Sequence, residues 1–284
     1  MNKGPDFIGI GAARSGTSWV HQCLYEHPEI YAPVKEIHFF SRKERWDKGL
    51  GWYEKLFNSP LRKTSANKTG EFSTTYLPSP KAAERIHQYC PSVKLIACLR
   101  HPVDRAFSNY LYGQRIGQIS RQTSFWEAAQ QCPFFLNGSC YATQLNKYLQ
   151  LFPRNQILIL IYEDIQKNPL KFIQTIYEFL NIDNQFIPSA LHKKINRGRI
   201  PKFPRIESVL TQWSAVFQMI GFHKIWWWVQ KSGVGDFILK LNTKKIICAK
   251  DGFNILDRKK LREYYQKEIE EVEKIIGRRL PEWR

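Results

Sequence analysis

Phe7-Ile8-Gly9-Ile10-Gly11-Ala12-Ala13-Arg14-Ser15-Gly16-Thr17-Ser18-Trp19 decides the architecture. A short apolar run reaches a Gly-rich turn, which opens into a helix at Thr17. The glycines let the backbone turn sharply and bring amide N–H groups together with no Cβ in the way. With the helix N-terminus behind them, those groups predict a cradle for a phosphate-like anion over Ala13, Arg14, Ser15, Gly16, Thr17 and Ser18. The plainer alternative is an ordinary strand–turn–helix junction.

Gly11 and Gly16 bracket four residues, as the nucleotide-binding pattern GxxxxGK[ST] requires. Thr17 stands where that pattern has lysine, and the cation lies inside the loop as Arg14. A loop without its lysine is poorly suited to a γ-phosphate carried with Mg²⁺. It suits a terminal anion that needs no metal.

A second stretch, Lys94-Leu95-Ile96-Ala97-Cys98-Leu99-Arg100-His101-Pro102-Val103-Asp104-Arg105-Ala106-Phe107-Ser108, is again strand, turn and helix. Arg100 stands at the strand's C-terminal end, where parallel α/β sheets bind ligands, and Ser108 follows on the next helix. Arg100 and Ser108 are candidates to hold a second phosphate. Two anion sites on successive βα junctions imply a nucleotide with phosphates at two positions.

The 284 residues suit one α/β domain, a core of about 5–205 with a helical extension of about 206–284. A hydrophobic fraction of 43% supports a sizeable core. No stretch approaches the roughly 20 apolar residues of a membrane span. The start lacks a charged segment followed by an apolar one, so the reading expects no signal peptide and a cytoplasmic protein. Six cysteines include no CxxC pair, and reduced thiols are expected. No His/Cys cluster has metal spacing, so no metal is expected. The net charge of +18 fits nucleic acid, an anionic membrane or anionic ligands; with no nucleic-acid motif in the chain, nucleic acid is not expected.

The βα alternation predicts a mainly parallel sheet with helices on both faces. Strands are placed at 7–11, 30–32, 69–71, 94–99 and 156–162. Helices are placed at 17–26, 79–89, 102–113, 125–131, 141–151 and 169–180, then at 206–220, 222–241 and 256–276. Pro102 and Pro169 fit first-turn positions, Asn168 and Asp257 fit N-caps, and Gly277 fits a C-cap. Trp226, Trp227 and Trp228, flanked by Lys224, Lys231 and Lys240, form the most apolar aromatic run. It reads as a helix packed on the core or a partner, or as a lipid-facing patch of a peripheral membrane protein.

The two junctions resemble those of the sulfotransferases that use 3′-phosphoadenosine 5′-phosphosulfate (PAPS). The opening loop resembles their 5′-phosphosulfate loop, and Leu99–Tyr110 resembles their 3′-phosphate motif. Val34-Lys35-Glu36-Ile37-His38-Phe39-Phe40 is similar to the segment that carries a catalytic glutamate in the heparan-sulfate branch. Gly70-Glu71-Phe72-Ser73, Tyr162-Glu163-Asp164 and Leu280-Pro281-Glu282-Trp283 extend the resemblance over most of the chain.

The resemblance implies a P-loop-like three-layer fold with a central parallel sheet and a C-terminal helical extension. It implies PAPS as donor, PAP as product and no metal. Ala13 to Ser18 would hold the phosphosulfate. Arg100, Ser108 and the basic loop Arg197-Gly198-Arg199 would hold the 3′-phosphate. Arg14 would stabilise charge on the departing phosphate. Glu36 would take the acceptor's proton, its pKa raised by Phe39, Phe40 and Trp52. His38 is the competing base, set aside because side-chain direction is taken to place it on the other side of the segment from Glu36. Phe72 falls where the heparan-sulfate branch commonly carries a second lysine, which counts against a polysaccharide-type site, while Ser73 and Thr74 remain available to an acceptor. Tyr162-Glu163-Asp164 is read as structural, with Glu163 and Asp164 capping the next segment. The acceptor is a sugar, a lipid or a small natural product. The competing readings are a small-molecule kinase and a non-catalytic basic membrane- or nucleic-acid-binding protein.

Overall fold

The computed structural model describes residues 4–58, 65–193, 200–201, 243–244 and 255–284. Its strands are β1 Phe7–Gly11, β2 Ile30–Tyr31, β3 Lys68–Phe72, β4 Lys94–Leu99 and β5 Ile157–Ile161. Residues Ile200–Pro201 (β6) pair antiparallel with Thr243–Lys244 (β7). The main sheet is parallel throughout, in the order β2-β3-β1-β4-β5. The chain moves outward from β1 to β2, returns through β3, and crosses to β4 on the other side. The C-terminal end of β1 therefore lies at the point where the strand order reverses, where open α/β sheets place their ligands.

The helices are α1 Thr17–Glu26, α2 Lys43–Trp46, α3 Leu50–Lys55, α4 Ala82–Tyr89, α5 Pro102–Arg115 and α6 Phe125–Gln131. There follow α7 Phe134–Asn137, α8 Tyr141–Leu149, α9 Tyr162–Lys167, α10 Pro169–Leu180 and α11 Ile255–Ile276. Period-two alternation sends Leu95, Ala97 and Leu99 to one face of the sheet and Ile96 and Cys98 to the other. Trp19, Val20, Cys23 and Leu24 of α1 and Phe172, Ile173 and Ile176 of α10 cover the second face. The first face is covered by α4, α5, α6, α8 and Leu261, Tyr265, Ile269 and Val272 of α11. The result is three layers around two apolar clusters, as expected.

Gly9 is required where β1 meets β3. A Cβ there would lie 1.9 Å from Cδ1 of Phe72, so the Phe72 ring occupies the space that glycine leaves.

Asn168 caps α10, its side chain accepting from Lys171 N–H at 2.9 Å, and Gly277 adopts the left-handed conformation (φ +66°) after α11. Asp257 differs from its expected cap role. The helix starts two residues earlier, and Asp257 Oδ1 instead accepts from the Trp126 indole at 2.7 Å. Four helices were not anticipated: α2, α3, α7 and α9. Each spans six residues or fewer, too short for an apolar period to show. Cys23, Cys90, Cys98, Cys132 and Cys140 are free thiols. No helix among the described residues is long and apolar enough to cross a membrane.

The basic loop Arg197-Gly198-Arg199, the tryptophans 226–228 and the helices expected at 206–220 and 222–241 lie outside the described residues.

Candidate active site

The turn after β1 runs through Arg14, whose φ of +71° is left-handed, to Gly16 at φ +81° and then α1. A Cβ on Gly16 would lie 2.8 Å from Cδ2 of Tyr162, so both the turn and the packing demand glycine. Among the described residues, no backbone carbonyl accepts the N–H groups of Ala13, Arg14, Ser15, Gly16, Thr17 or Ser18. These are open donors at the N-terminus of a ten-residue helix, and they fit an anionic group.

Arg14 and Ser108 meet directly, Nε donating to Oγ at 3.2 Å. Arg100 Nη1 donates to the Arg14 carbonyl at 3.3 Å, which ties the second junction to the first. Tyr141 Oη donates to the Arg100 carbonyl at 3.0 Å from behind. Neither Arg14 nor Arg100 is ion-paired with a carboxylate among the described residues. Arg14 lies 4.8 Å over the Tyr112 ring, Arg115 lies 4.9 Å from the same ring, and Arg100 lies 5.0 Å over Tyr162. Burial, then the charge of Arg115, lowers the Arg14 guanidinium from its ordinary value. This cluster of mutually repelling cations calls for an anion between them.

Tyr112 and Arg115 were missed in the sequence. The available signal was their spacing: they follow Ser108 at i+4 and i+7 and so share its helix face.

Glu36 and His38 lie in the loop against the C-terminal end of β3. Glu36 N–H donates to the Phe72 carbonyl at 2.6 Å. The Glu36 carboxylate takes Lys35 Nζ at 2.5 Å, Thr74 N–H at 3.0 Å and the Thr74 hydroxyl at 3.0 Å. His38 Nε2 is 3.5 Å from Glu36 Oε2, and its Nδ1 meets Thr75 Oγ1 at 2.8 Å. The structure therefore corrects the placement of His38 on the far side. Residues two apart in an extended segment share a face, and here both are left-handed, φ +61° at Glu36 and +58° at His38. Each such conformation costs about 1–3 kcal/mol and persists only where its surroundings impose it.

The pKa of Glu36 is also corrected. Burial raises it, but the Lys35 charge and hydrogen bond, the Thr74 N–H and His38 together outweigh burial, and the carboxyl lies below its ordinary value. Phe39 and Phe40 do not enclose Glu36. They are fully buried among Trp46, Tyr53 and Tyr76 in the core. Burial pushes the His38 imidazole down to about 4, with Arg42, Lys35 and Arg45 acting the same way against Glu36. At neutral pH this pair is a carboxylate beside a neutral imidazole.

Ser73 and Thr74 do not present free hydroxyls to an acceptor. Ser73 is fully buried and donates to Glu71 at 2.6 Å, while Thr74 is engaged by Glu36. Glu163 and Asp164 are structural, as expected, though they brace rather than cap. Glu163 accepts His101 N–H at 3.0 Å and the Trp283 indole at 3.1 Å, and Asp164 takes both Arg278 nitrogens. Arg100 is thereby held through its neighbour His101 and through the chain's last helical turn.

The model of the sulfotransferase domain matches residues 4–273. The chain belongs to the sulfotransferase domain family. It is 29% identical over 196 residues to human bifunctional heparan sulfate N-deacetylase/N-sulfotransferase 2, covering 63% of this chain and 22% of that one. It is 28% identical over 208 residues to mouse heparan sulfate glucosamine 3-O-sulfotransferase 5, covering 68% of this chain and 58% of that one. The chain thus spans less than two thirds of the length of these curated relatives. The crystal structure of a sulfotransferase from Alicyclobacillus acidocaldarius superposes with a TM-score of 0.70 at 22% identity, covering 99% of this chain and 98% of the other. That likeness is one of fold, and it is the P-loop-like fold.

Proposed function

We propose that the protein transfers the sulfuryl group of PAPS to a hydroxyl or amine of an acceptor, with Glu36 as general base. One observation carries the reading: Arg14, Arg100 and Ser108 converge from two βα junctions beside open N–H donors, with no carboxylate among the described residues to neutralise them. The donor would supply the sulfuryl group and a phosphate leaving group. Ala13 to Ser18 would bind its phosphosulfate through N–H groups, with Arg14 placing fixed positive charge at the bridging oxygen; a guanidinium stabilises charge there without giving up a proton. Arg100 and Ser108 would bind the 3′-phosphate, and we assign Arg197, Gly198 and Arg199 to the same phosphate on their charge and glycine content alone. Glu36 would accept the acceptor's proton. Lys35 moderates it: as the charge now lowering the Glu36 pKa, Lys35 would restore basicity by turning toward an anion. Neutral His38 would orient the carboxylate or accept the proton in its place.

We further propose one domain, a core of about 5–205 with a helical extension of about 206–284, since Leu261, Tyr265 and Val272 of α11 join the same apolar cluster as β1 and β4. The acceptor remains a class, of sugars, lipids or small natural products. The names of the relatives make glucosamine-containing chains the first to try, and Phe72 in place of the heparan-sulfate branch's second lysine makes simple alcohols and phenols the second. Peripheral membrane contact through Trp226, Trp227 and Trp228 rests on composition alone.

Calorimetric titration with PAP tests the donor assignment. Metal-independent binding is expected, weakened about 10- to 100-fold by Arg100→Ala, in keeping with the loss of a charge-assisted contact. Preference for ATP with Mg²⁺ would sink the assignment.

A further inference from the structure

Glu71 has no part in the chemistry above, yet it is the most completely enclosed acid of the site. It lies on β3, fully buried, and three hydroxyls point at it. Tyr53 Oη donates to Oε1 at 2.8 Å, Tyr76 Oη to Oε1 at 2.7 Å and Ser73 Oγ to Oε2 at 2.6 Å. A buried carboxyl is costly, and apolar packing is often the more stable solution. Stability alone does not account for it.

Two of these hydroxyls also face the other way. Ser73 Oγ accepts His38 N–H at 2.9 Å, and Tyr76 Oη accepts Phe39 N–H at 3.0 Å. A hydroxyl has one proton. When that proton is held by Glu71, the oxygen's lone pairs are left facing the two amides. The amides belong to the segment that carries left-handed Glu36 and His38.

We propose that Glu71 is the positioning residue of this site: by accepting the protons of Ser73 and Tyr76 it fixes both oxygens as acceptors for His38 and Phe39 N–H and so locks the strained 36–39 loop. Glu71 touches no reacting atom. It acts through the loop on Glu36, and this inference rests on Glu36 being the base. A base displaced by about 1 Å loses on the order of 100-fold in rate.

The variant Glu71→Gln keeps the volume and both tyrosine contacts. Its amide nitrogen donates to Ser73 Oγ, so the Ser73 proton must leave that direction and turn toward the side from which Oγ accepts His38 N–H, no longer fixed as it is by Glu71. Amide hydrogen exchange over residues 34–41 reads the lock without an acceptor. Exchange there is expected to rise about tenfold, the equivalent of one hydrogen bond, with β1 and β4 amides and PAP affinity unchanged. Ser73→Ala and Tyr76→Phe remove the two relays singly and should produce the same local rise, so the inference stays open to refutation if Glu71→Gln does not fold. With PAPS and N-deacetylated heparan sulfate or 4-nitrophenol as acceptor probe, kcat should fall about tenfold at constant donor KM. In a Glu36→Gln background Glu71→Gln should add nothing. Unchanged loop exchange in the variants, or exchange raised equally across the whole sheet, would overturn the inference. Full activity in Glu36→Gln alone would overturn the base assignment instead, and the exchange result would still decide whether Glu71 holds the loop.

Discussion

Glu36→Gln is expected to reduce sulfuryl transfer by about 10²- to 10⁴-fold, the usual worth of a positioned general base, with PAP affinity within twofold of the parent. Glutamine preserves the local geometry. Its carbonyl oxygen can still accept from Thr74 N–H and hydroxyl, which hold the carboxylate at 3.0 Å. What it removes is the charge and the ability to take a proton. His38→Asn is the companion. If His38 only orients Glu36 across 3.5 Å, this variant loses far less, because Thr74 and Lys35 still hold the carboxylate. The reverse order, Glu36→Gln active and His38→Asn inactive, would move the base to His38. The rate is read as labelled sulfate transferred from PAPS, with PAP release as a second readout. The pH profile gives an independent check. Glu36 lies below its ordinary value and His38 at about 4, so neither loses its basic form between pH 6 and 8; in a Glu71→Gln background, which removes the buried acid that titrates at about 7 behind the loop, deprotonation of this pair should impose no rise in rate over that interval.

How much of this site could be read in the sequence depends on what each part is made of. β1, β4, α1 and α10 took their bounds directly from apolar runs, glycines and Asn168, because strand and helix periods are local properties. The convergence of Arg14, Arg100 and Ser108 was half legible. Both junctions could be seen, but not the hydrogen bonds from Arg14 to Ser108 and from Arg100 to the Arg14 carbonyl that join them across the sheet. Phe39 and Phe40 misled. Aromatic neighbours in sequence suggest walls around Glu36, whereas the left-handed backbone at Glu36 and His38 turns the rings into the core and the carboxylate away from them. Nothing in the sequence signals that turn, since non-glycine residues seldom adopt positive φ. The error in the Glu36 pKa followed from the same source: burial was anticipated, but the Lys35 and Thr74 contacts that outweigh it were not. The motif Gly70-Glu71-Phe72-Ser73 reveals no role for Glu71 in sequence, because its partners Tyr53 and Tyr76 come from separate segments on either side of it.

Glu71 should also leave a thermodynamic trace. Burial raises its carboxyl from 4.5 to about 7, against the hydrogen bonds from Ser73, Tyr76 and Tyr53, and the Glu36 charge adds to the rise. In the unfolded chain the group titrates at its ordinary value. Between pH 4.5 and 7 the folded protein therefore keeps a proton that the unfolded chain has released, and stability falls as pH rises through that window. The difference converts to about 3 kcal/mol. Other groups mask this in the wild-type curve. His38 and His21 are both pushed down to about 4 by burial, and a histidine with a lowered pKa makes stability rise with pH over the interval from about 4 to 6.5. Glu36, held below its ordinary value, adds stability above about 4.5 that disappears as pH falls through its lowered value. Tyr53, Tyr76 and Cys90, which also face Glu71, are displaced upward and stay neutral throughout. The effect is therefore isolated by comparison with Glu71→Gln, which retains every neighbour and cannot titrate. Denaturant unfolding of the two proteins from pH 4.5 to 8 should show the wild type losing about 3 kcal/mol relative to the variant. Parallel curves would mean that Glu71 is ionised across the whole range. Its three hydroxyl donors, rather than burial, would then set its charge.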